Sequence, residues 1–226
     1  MEPEVNQLDP QPLTSVPAVH STGARVAVGL SKIGMVLRSH AWQEGFAQDL
    51  TPTQGQVLAH LDRQPGLTLN QVADGLGVRA STASEAVGVL EKKGLVVKQR
   101  PLEDARRLSL SLTDAGRREA ARVATWPDFL AQVVEGLSEE EQGVLLRLVQ
   151  RMIRELQLRG EIPVARMCST CRYFRPYVHD DARHPHHCAF VNLPFGNADL
   201  RMDCPEQDPA TGAEADAAWE RFARAG

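Results

Sequence analysis

Apolar residues recur at helical spacing along most of this chain and change to strand spacing in one short window. From about residue 24, Val26, Leu30, Ile33 and Leu37, followed by Trp42 and Phe46, fall on one side of a long predicted helix. Thr51, Pro52 and Gln54 then supply an N-cap, a first-turn proline and the third-position partner of a capping box. They start a helix that buries Val57, Leu58 and Leu61 until Pro65 and Gly66 stop it. The same signature, Thr68 with Gln71, opens a short helix burying Val72, Ala73 and Leu76 and ending at Gly77. A further helix over about residues 80–93 sets Ala83, Val87 and Leu90 on its buried face and stops at Gly94.

The window of strand spacing follows at once. Residues 95–100 predict one strand, and Leu108, Leu110 and Leu112 alternate strictly in a second, half-buried one over residues 107–112. Between them, residues 101–106 form a polar loop too long for a two-residue turn, the shape of a wing. Thr113 then caps a helix that begins at Asp114 and meets Pro127, whose missing N–H and ring must kink or restart it, with Trp126 and Phe129 packed at the bend. Ser138 and Glu141 open another helix, which Arg159 and Gly160 close. It carries Val144, Leu148, Met152 and Leu156 on one row and Leu145, Val149 and Ile153 on the next. Two apolar rows suit a helix packed on two sides, as at a dimer interface; an intramolecular core helix is the alternative. The predicted fold class is mainly α with a small β-wing, a winged helix-turn-helix flanked by long helices.

Four runs in this region resemble the multiple-antibiotic-resistance regulator (MarR) family of bacterial transcription factors. They are LTPTQGQVLAHL at residues 50–61, VLEKKGLV at 89–96, EDARR at 103–107 and LTDAGR at 112–117, and the resemblance covers roughly residues 24–159. It implies a homodimeric DNA-binding regulator, expected to be a repressor, that reads a palindromic operator. It also implies a dimer interface built from the N- and C-terminal helices, and a small organic effector bound between those helices and the DNA heads.

The net charge of −4 looks wrong for a DNA binder until it is divided along the chain. In residues 79–107, Arg79, Lys92, Lys93, Lys98, Arg100, Arg106 and Arg107 outnumber Glu85, Glu91, Glu103 and Asp104 by three, so the basic excess sits on the expected DNA face. In a helix-turn-helix the N-terminal part of the second helix meets base edges. Here that helix has no lysine or arginine from Ala80 to Glu91, so base reading falls to Ser81, Thr82, Ser84 and Glu85, the last able to accept from a cytosine amino group. Arg79 stands where the family usually has a capping serine and is a candidate phosphate or base contact. Lys98 is a further candidate. Arg106 and Arg107 at the wing tip suit the narrow, electronegative minor groove, although Asp104 with Arg106 also forms a pair in the family.

All four cysteines and four of the seven histidines fall in residues 168–204, with the cysteines spaced C-x2-C-x16-C-x15-C at Cys168, Cys171, Cys188 and Cys204. In a reducing compartment this clustering favours metal ligation over disulfides, because a Cys-x2-Cys turn presents two thiolates to one centre and two more complete it. The spacing is similar to that of high-potential iron–sulfur proteins, and Pro205 follows the last cysteine as in many cluster sites. A 4Fe–4S cluster is slightly favoured over zinc. His179, His184, His186 and His187 are expected to be solvated loop residues, with His187 the one able to replace a cysteine or support a ligand. Such a module has too few apolar residues to fold unaided, so its metal would supply folding energy.

The expected organisation is a flexible arm over residues 1–22, a winged-helix and dimerisation domain over 23–160, a cysteine-rich module over 161–208 and a tail over 209–226. In the tail, residues 213–226 either dock a short helix through Trp219 and Phe222 or fray. A composition of 42% hydrophobic and 24% charged residues excludes wholesale disorder. No run of 18 apolar residues and no leader pattern occurs, so a cytoplasmic protein without membrane contact is expected. No phosphate loop or nucleophile motif points to catalysis.

Overall fold

The computed structural model describes residues 21–100 and 108–224. Its contacts divide the chain into two units, residues 1–40 and 41–226. In the first unit lies most of helix α1 (Thr22–Ala47), whose Val26, Val28, Leu30, Ile33 and Met35 are all exposed. The second unit holds the remaining elements, α2 (Pro52–Arg63), α3 (Leu69–Leu76), α4 (Ala80–Lys92), β1 (Val96–Gln99), β2 (Ser109–Leu112), α5 (Asp114–Ala124), α6 (Asp128–Glu135), α7 (Glu139–Leu158), β3 (Phe174–Arg175), β4 (His186–Cys188), β5 (Leu193–Phe195) and α8 (Gly212–Arg224).

The three predicted capping boxes form as the sequence requires. Gln54 N–H donates to Thr51 Oγ1 at 3.2 Å while Thr51 N–H donates to Gln54 Oε1 at 3.1 Å. Thr68 and Gln71 repeat the exchange at 2.9 and 3.3 Å, as do Ser138 and Glu141. The backbone N–H of Ser138 holds the Glu141 carboxyl below its usual range. Gly77 caps α3 at φ 63, a left-handed conformation that glycine adopts without steric cost. Pro127 restarts the chain as expected, separating α5 from α6.

The core of the winged unit is centred on α2, where Val57, Leu58 and Leu61 are at most 1% exposed and meet Val72, Val87, Leu90, Val96, Leu110, Ala120 and Val123. Burial of one such side chain contributes about 1.5–3 kcal/mol. The wing strands pair antiparallel with Val96 opposite Leu112 and Lys98 opposite Leu110, and Leu67 adds a bridge to Leu110. The strict alternation expected in this strand is broken. Leu110 and Leu112 are buried, but Leu108 is 44% exposed and Ser109 is buried instead, its hydroxyl donating to the Gln99 carbonyl across the pair. Trp126 packs over Gly55 at the bend before α6.

The C-terminal part forms its own antiparallel sheet, in the order β3-β4-β5. Its core is Phe174, Leu200 and Phe222, with Leu146, Tyr177, Phe195 and Trp219 packed against it. Three aromatic rings from distant positions meet here, and Phe222 on α8 is fully buried among them. Of the two fates expected for the tail, docking through Trp219 and Phe222 is the one observed.

Helix α7 faces this module with polar residues. Gly143, Arg147, Gln150 and Gln157 are its buried positions, whereas Val144, Leu145, Leu148, Met152 and Leu156 remain 37–40% exposed. Gly143 has no side chain to hold the turn Asn197–Asp199 away from the helix.

Two predictions follow from this packing. A Cβ at Gly116 would run into the Leu95 carbonyl, a main-chain atom held by the Thr113 N–H. Gly116→Ala should therefore lower stability by roughly 1–3 kcal/mol or more, read from the midpoint of urea unfolding, and an unchanged midpoint would contradict the close approach. The second concerns His60, whose imidazole is held below its ordinary 6.5 first by burial and then by Arg63. The unfolded chain binds that proton more readily, so stability should fall as pH drops through about 6.5 towards 5. His60→Gln should flatten this slope in chemical unfolding followed across that interval.

Candidate functional site

Two groups of residues singled out by sequence are brought together by the fold. On α4, the inward positions Ala83, Ala86, Val87 and Leu90 are buried and lock the helix against α2 and α3. The opposite face carries Arg79, Ser81, Thr82, Ser84 and Glu85, all exposed. Arg79 is the N-cap of α4 and makes no side-chain capping bond, so its guanidinium is not spent on the helix end. Lys98 on β1 lies beside this face but donates to Glu91 Oε2 at 2.7 Å. Lys93 is also engaged, forming an ion pair with Asp49 at 2.9 Å and donating to its carbonyl. Arg106 and Arg107, the wing-tip candidates, lie outside the described residues.

The second group is the cysteines. Cys168 and Cys171 flank a 3₁₀ turn, Cys188 ends β4 opposite Phe174 of β3, and Cys204 follows the loop after Leu200. All four line one cavity of about 350 Å³. Tyr173, Phe174, Phe190, Val191, Leu193 and Phe195 supply most of its apolar wall. Burial, opposed by one backbone N–H bond, pushes the Cys168 thiol up to about 11. Among the described residues, no three Cys, His, Asp or Glu side chains are gathered so as to hold a single metal ion. The thiols thus face a common space without converging on a point.

Arg201 ties this cavity to the rest of the molecule. Its N–H donates to Cys168 Sγ at 3.2 Å, and its guanidinium lies 3.8 Å from Cys204 Sγ. Its carbonyl accepts from the Cys168 N–H at 3.1 Å and from Gln150 Nε2 of α7 at 2.9 Å. Next to Cys204, the Asp203 carboxylate accepts from Arg166 at 2.8 Å and pairs with Arg63, the last residue of α2, at 3.5 Å. Sequence reading missed Gln150 and Asp203, because neither belongs to a motif and both act through partners about 50 or more positions away, or on another element.

His179 and His184 are exposed as expected, and His186 is the histidine that differs. His186 is fully buried, not solvated: Tyr177 N–H donates to its Nδ1 at 3.3 Å and its Nε2 meets Asn197 Oδ1 at 3.0 Å, while the ring packs against Phe174. Burial lowers its pKa, helped by Arg147 and opposed by the bond to Asn197. His187, the candidate substitute ligand, is turned to His179 and Asn192 at 3.2 Å each, and it is His184 that reaches the cavity wall.

Comparison with known proteins gives this arrangement its context. The MarR family profile matches residues 48–107, which hold α2, α3, α4 and β1. A transcriptional regulatory protein assigned to the hcr operon of Thauera aromatica is 32% identical over 124 residues, 49% of this chain and 70% of that one. The transcriptional repressor MdtR of Bacillus subtilis (strain 168) is 33% identical over 95 residues, 42% of this chain and 61% of that one. Among solved structures, the complex of Staphylococcus aureus MepR with DNA is 28% identical, with a TM-score of 0.50 over 58% of this chain and 97% of that one. No helix among the described residues is long and apolar enough to cross a membrane. With its buried α2 and α4, paired wing strands and a relative matched over 70% of its length, the chain belongs to the MarR family of transcriptional regulators.

Proposed function

We propose that this chain is a homodimeric, cytoplasmic DNA-binding repressor that reads a palindromic operator with α4 and its wing. The observation that carries this is the division of α4 into a fully buried apolar side and an exposed side holding Arg79, Ser81, Thr82, Ser84 and Glu85. A helix fixed along one side presents the other at low entropic cost, which is what major-groove reading needs. The relatives support the direction: MdtR is named a repressor and MepR has been solved on DNA. Dimerisation is supported by the apolar row Val144, Leu148, Met152 and Leu156 of α7, which the single chain leaves about two-fifths exposed, and by Phe46 at 89% exposure. Contiguous apolar surface of that kind marks an interface.

In this reading Ser81, Thr82, Ser84 and Glu85 meet base edges, while Arg79, Arg106 and Arg107 meet phosphates or the minor groove. Lys98 joins them by exchanging Glu91 for a phosphate, a small cost for an exposed pair. The small organic effector typical of such a regulator would enter between the dimer helices and the DNA heads.

Selection from a randomised duplex pool should enrich an inverted repeat, and the chain should sediment as a dimer at micromolar concentration. Affinity for the enriched duplex should fall steeply with salt as counterions are displaced. A monomer, or an affinity flat in salt, would overturn the proposal. Arg107→Ala should weaken binding and lower the salt slope by about one, with the melting curve unchanged; wild-type affinity and slope would remove Arg107 from the interface.

A further inference from the structure

We infer that the cavity lined by Cys168, Cys171, Cys188 and Cys204 holds a thiolate-ligated 4Fe–4S cluster, and that Arg201 and Asp203 transmit its presence to α7 and α2. The transmission half rests on the DNA-binding reading above; the cluster half does not.

The four cysteines share one cavity roomy enough for a polynuclear centre. Four thiolates about 2.3 Å from one zinc would stand within about 4 Å of one another and would close the site completely. Here the four cysteines line a cavity of about 350 Å³, and no three ligating side chains are gathered around one point. A polynuclear centre bonded at its corners uses that arrangement, since each thiolate needs its own iron. The cavity wall also fits. Much of it is aromatic and aliphatic, with Asp199 and Glu206 at its edge, and the donors aimed at sulfur are the Arg201 N–H at Cys168 and the Arg201 guanidinium near Cys204. Hydrogen bonds to sulfur and exclusion of solvent are the protein's means of stabilising such a centre and setting its potential.

The same atoms reach the regulator. The Arg201 carbonyl accepts from Gln150, a fully buried side chain on α7, so any movement of the residue 201 main chain is met directly by that helix. Asp203, bonded to Arg166 and paired with Arg63, connects the residue before Cys204 to the end of α2. Helix α7 carries the apolar row proposed for dimerisation and α2 supports α4. Cluster loading therefore acts on both the separation and the support of the DNA-reading helices.

The test uses the full chain, prepared without oxygen and reconstituted with ferrous iron and sulfide. The expected product is brown, with about four irons and four labile sulfides per chain and broad visible absorbance. Cys188→Ser should lose the chromophore while remaining folded by circular dichroism; because that variant can fail to fold, chelation of the wild type supplies the same apo state. Loaded and stripped chains should differ about tenfold in affinity for the enriched duplex. Gln150→Leu should keep the iron and sulfide content but show a smaller difference. A colourless chain with one tightly held zinc, cysteines recovered as disulfides, or an organic molecule retained in the cavity in place of iron would overturn the cluster. A loaded chain with equal affinity in both states, or a Gln150→Leu chain with the full wild-type difference, would overturn the transmission. A chain that takes up the cluster yet binds no duplex in either state would overturn the transmission through failure of the DNA reading itself.

Discussion

The burial of α2 is the constraint on which the rest of the structure depends. Val57, Leu58 and Leu61 lie at the centre of the winged unit, and α3, α4, α5 and β2 pack against their helix. Their position also fixes where the two ends of α2 emerge. The N-terminal end is set by the Thr51 and Gln54 box; the C-terminal end presents His60 and Arg63 towards the cysteine module. One hydrophobic helix thus holds α4 from behind and meets Asp203 at its tip. Substitutions that loosen α2 should be felt in both places, because a close-packed interior passes displacement on instead of absorbing it.

What sequence could supply was set by how local the determining interaction is. The helix starts at Thr51, Thr68, Thr113 and Ser138 were legible, since a cap bonds a residue only three positions away. The exposed face of α4 was legible for the same reason, as its period lies within 13 residues. Burial set by distant partners was not. Ser109 is buried by the register of a strand pair, and Gln150 by a carbonyl 51 positions away; polarity along the chain pointed both outward. His186 misled in the same way, because its loop is rich in charged and polar residues while its ring is enclosed by Phe174, Tyr177 and Phe222.

The cysteine pattern was only half legible. Spacing announced a common centre, and the fold brings the four residues to one cavity, but the breadth of that cavity depends on β3, β4 and the Arg201 loop together. The core beside it was legible only at its tail end, as docking of Trp219 and Phe222; its other members, Phe174 and Leu200, lie far away in the chain. That core gives the sheet and the tail a shared packing surface beside the cysteines, on which the binding energy of a metal centre would add to folding.

In the proposed reading, helix α7 is the element through which a change at the cysteine cavity would reach DNA. Its module side is largely polar: Gln150 and Gln157 donate to carbonyls of Arg201 and Pro163 and Arg147 is buried, with Leu146 packed against the aromatic core. Its apolar side is the one left for a partner chain. Hydrogen bonds have narrow distance and angle limits, so a polar contact registers a small movement of its acceptor, whereas an apolar contact of the same area slides with little change in energy. In the proposed dimer, directional contacts on the module side would let α7 register movement of the cysteine cavity.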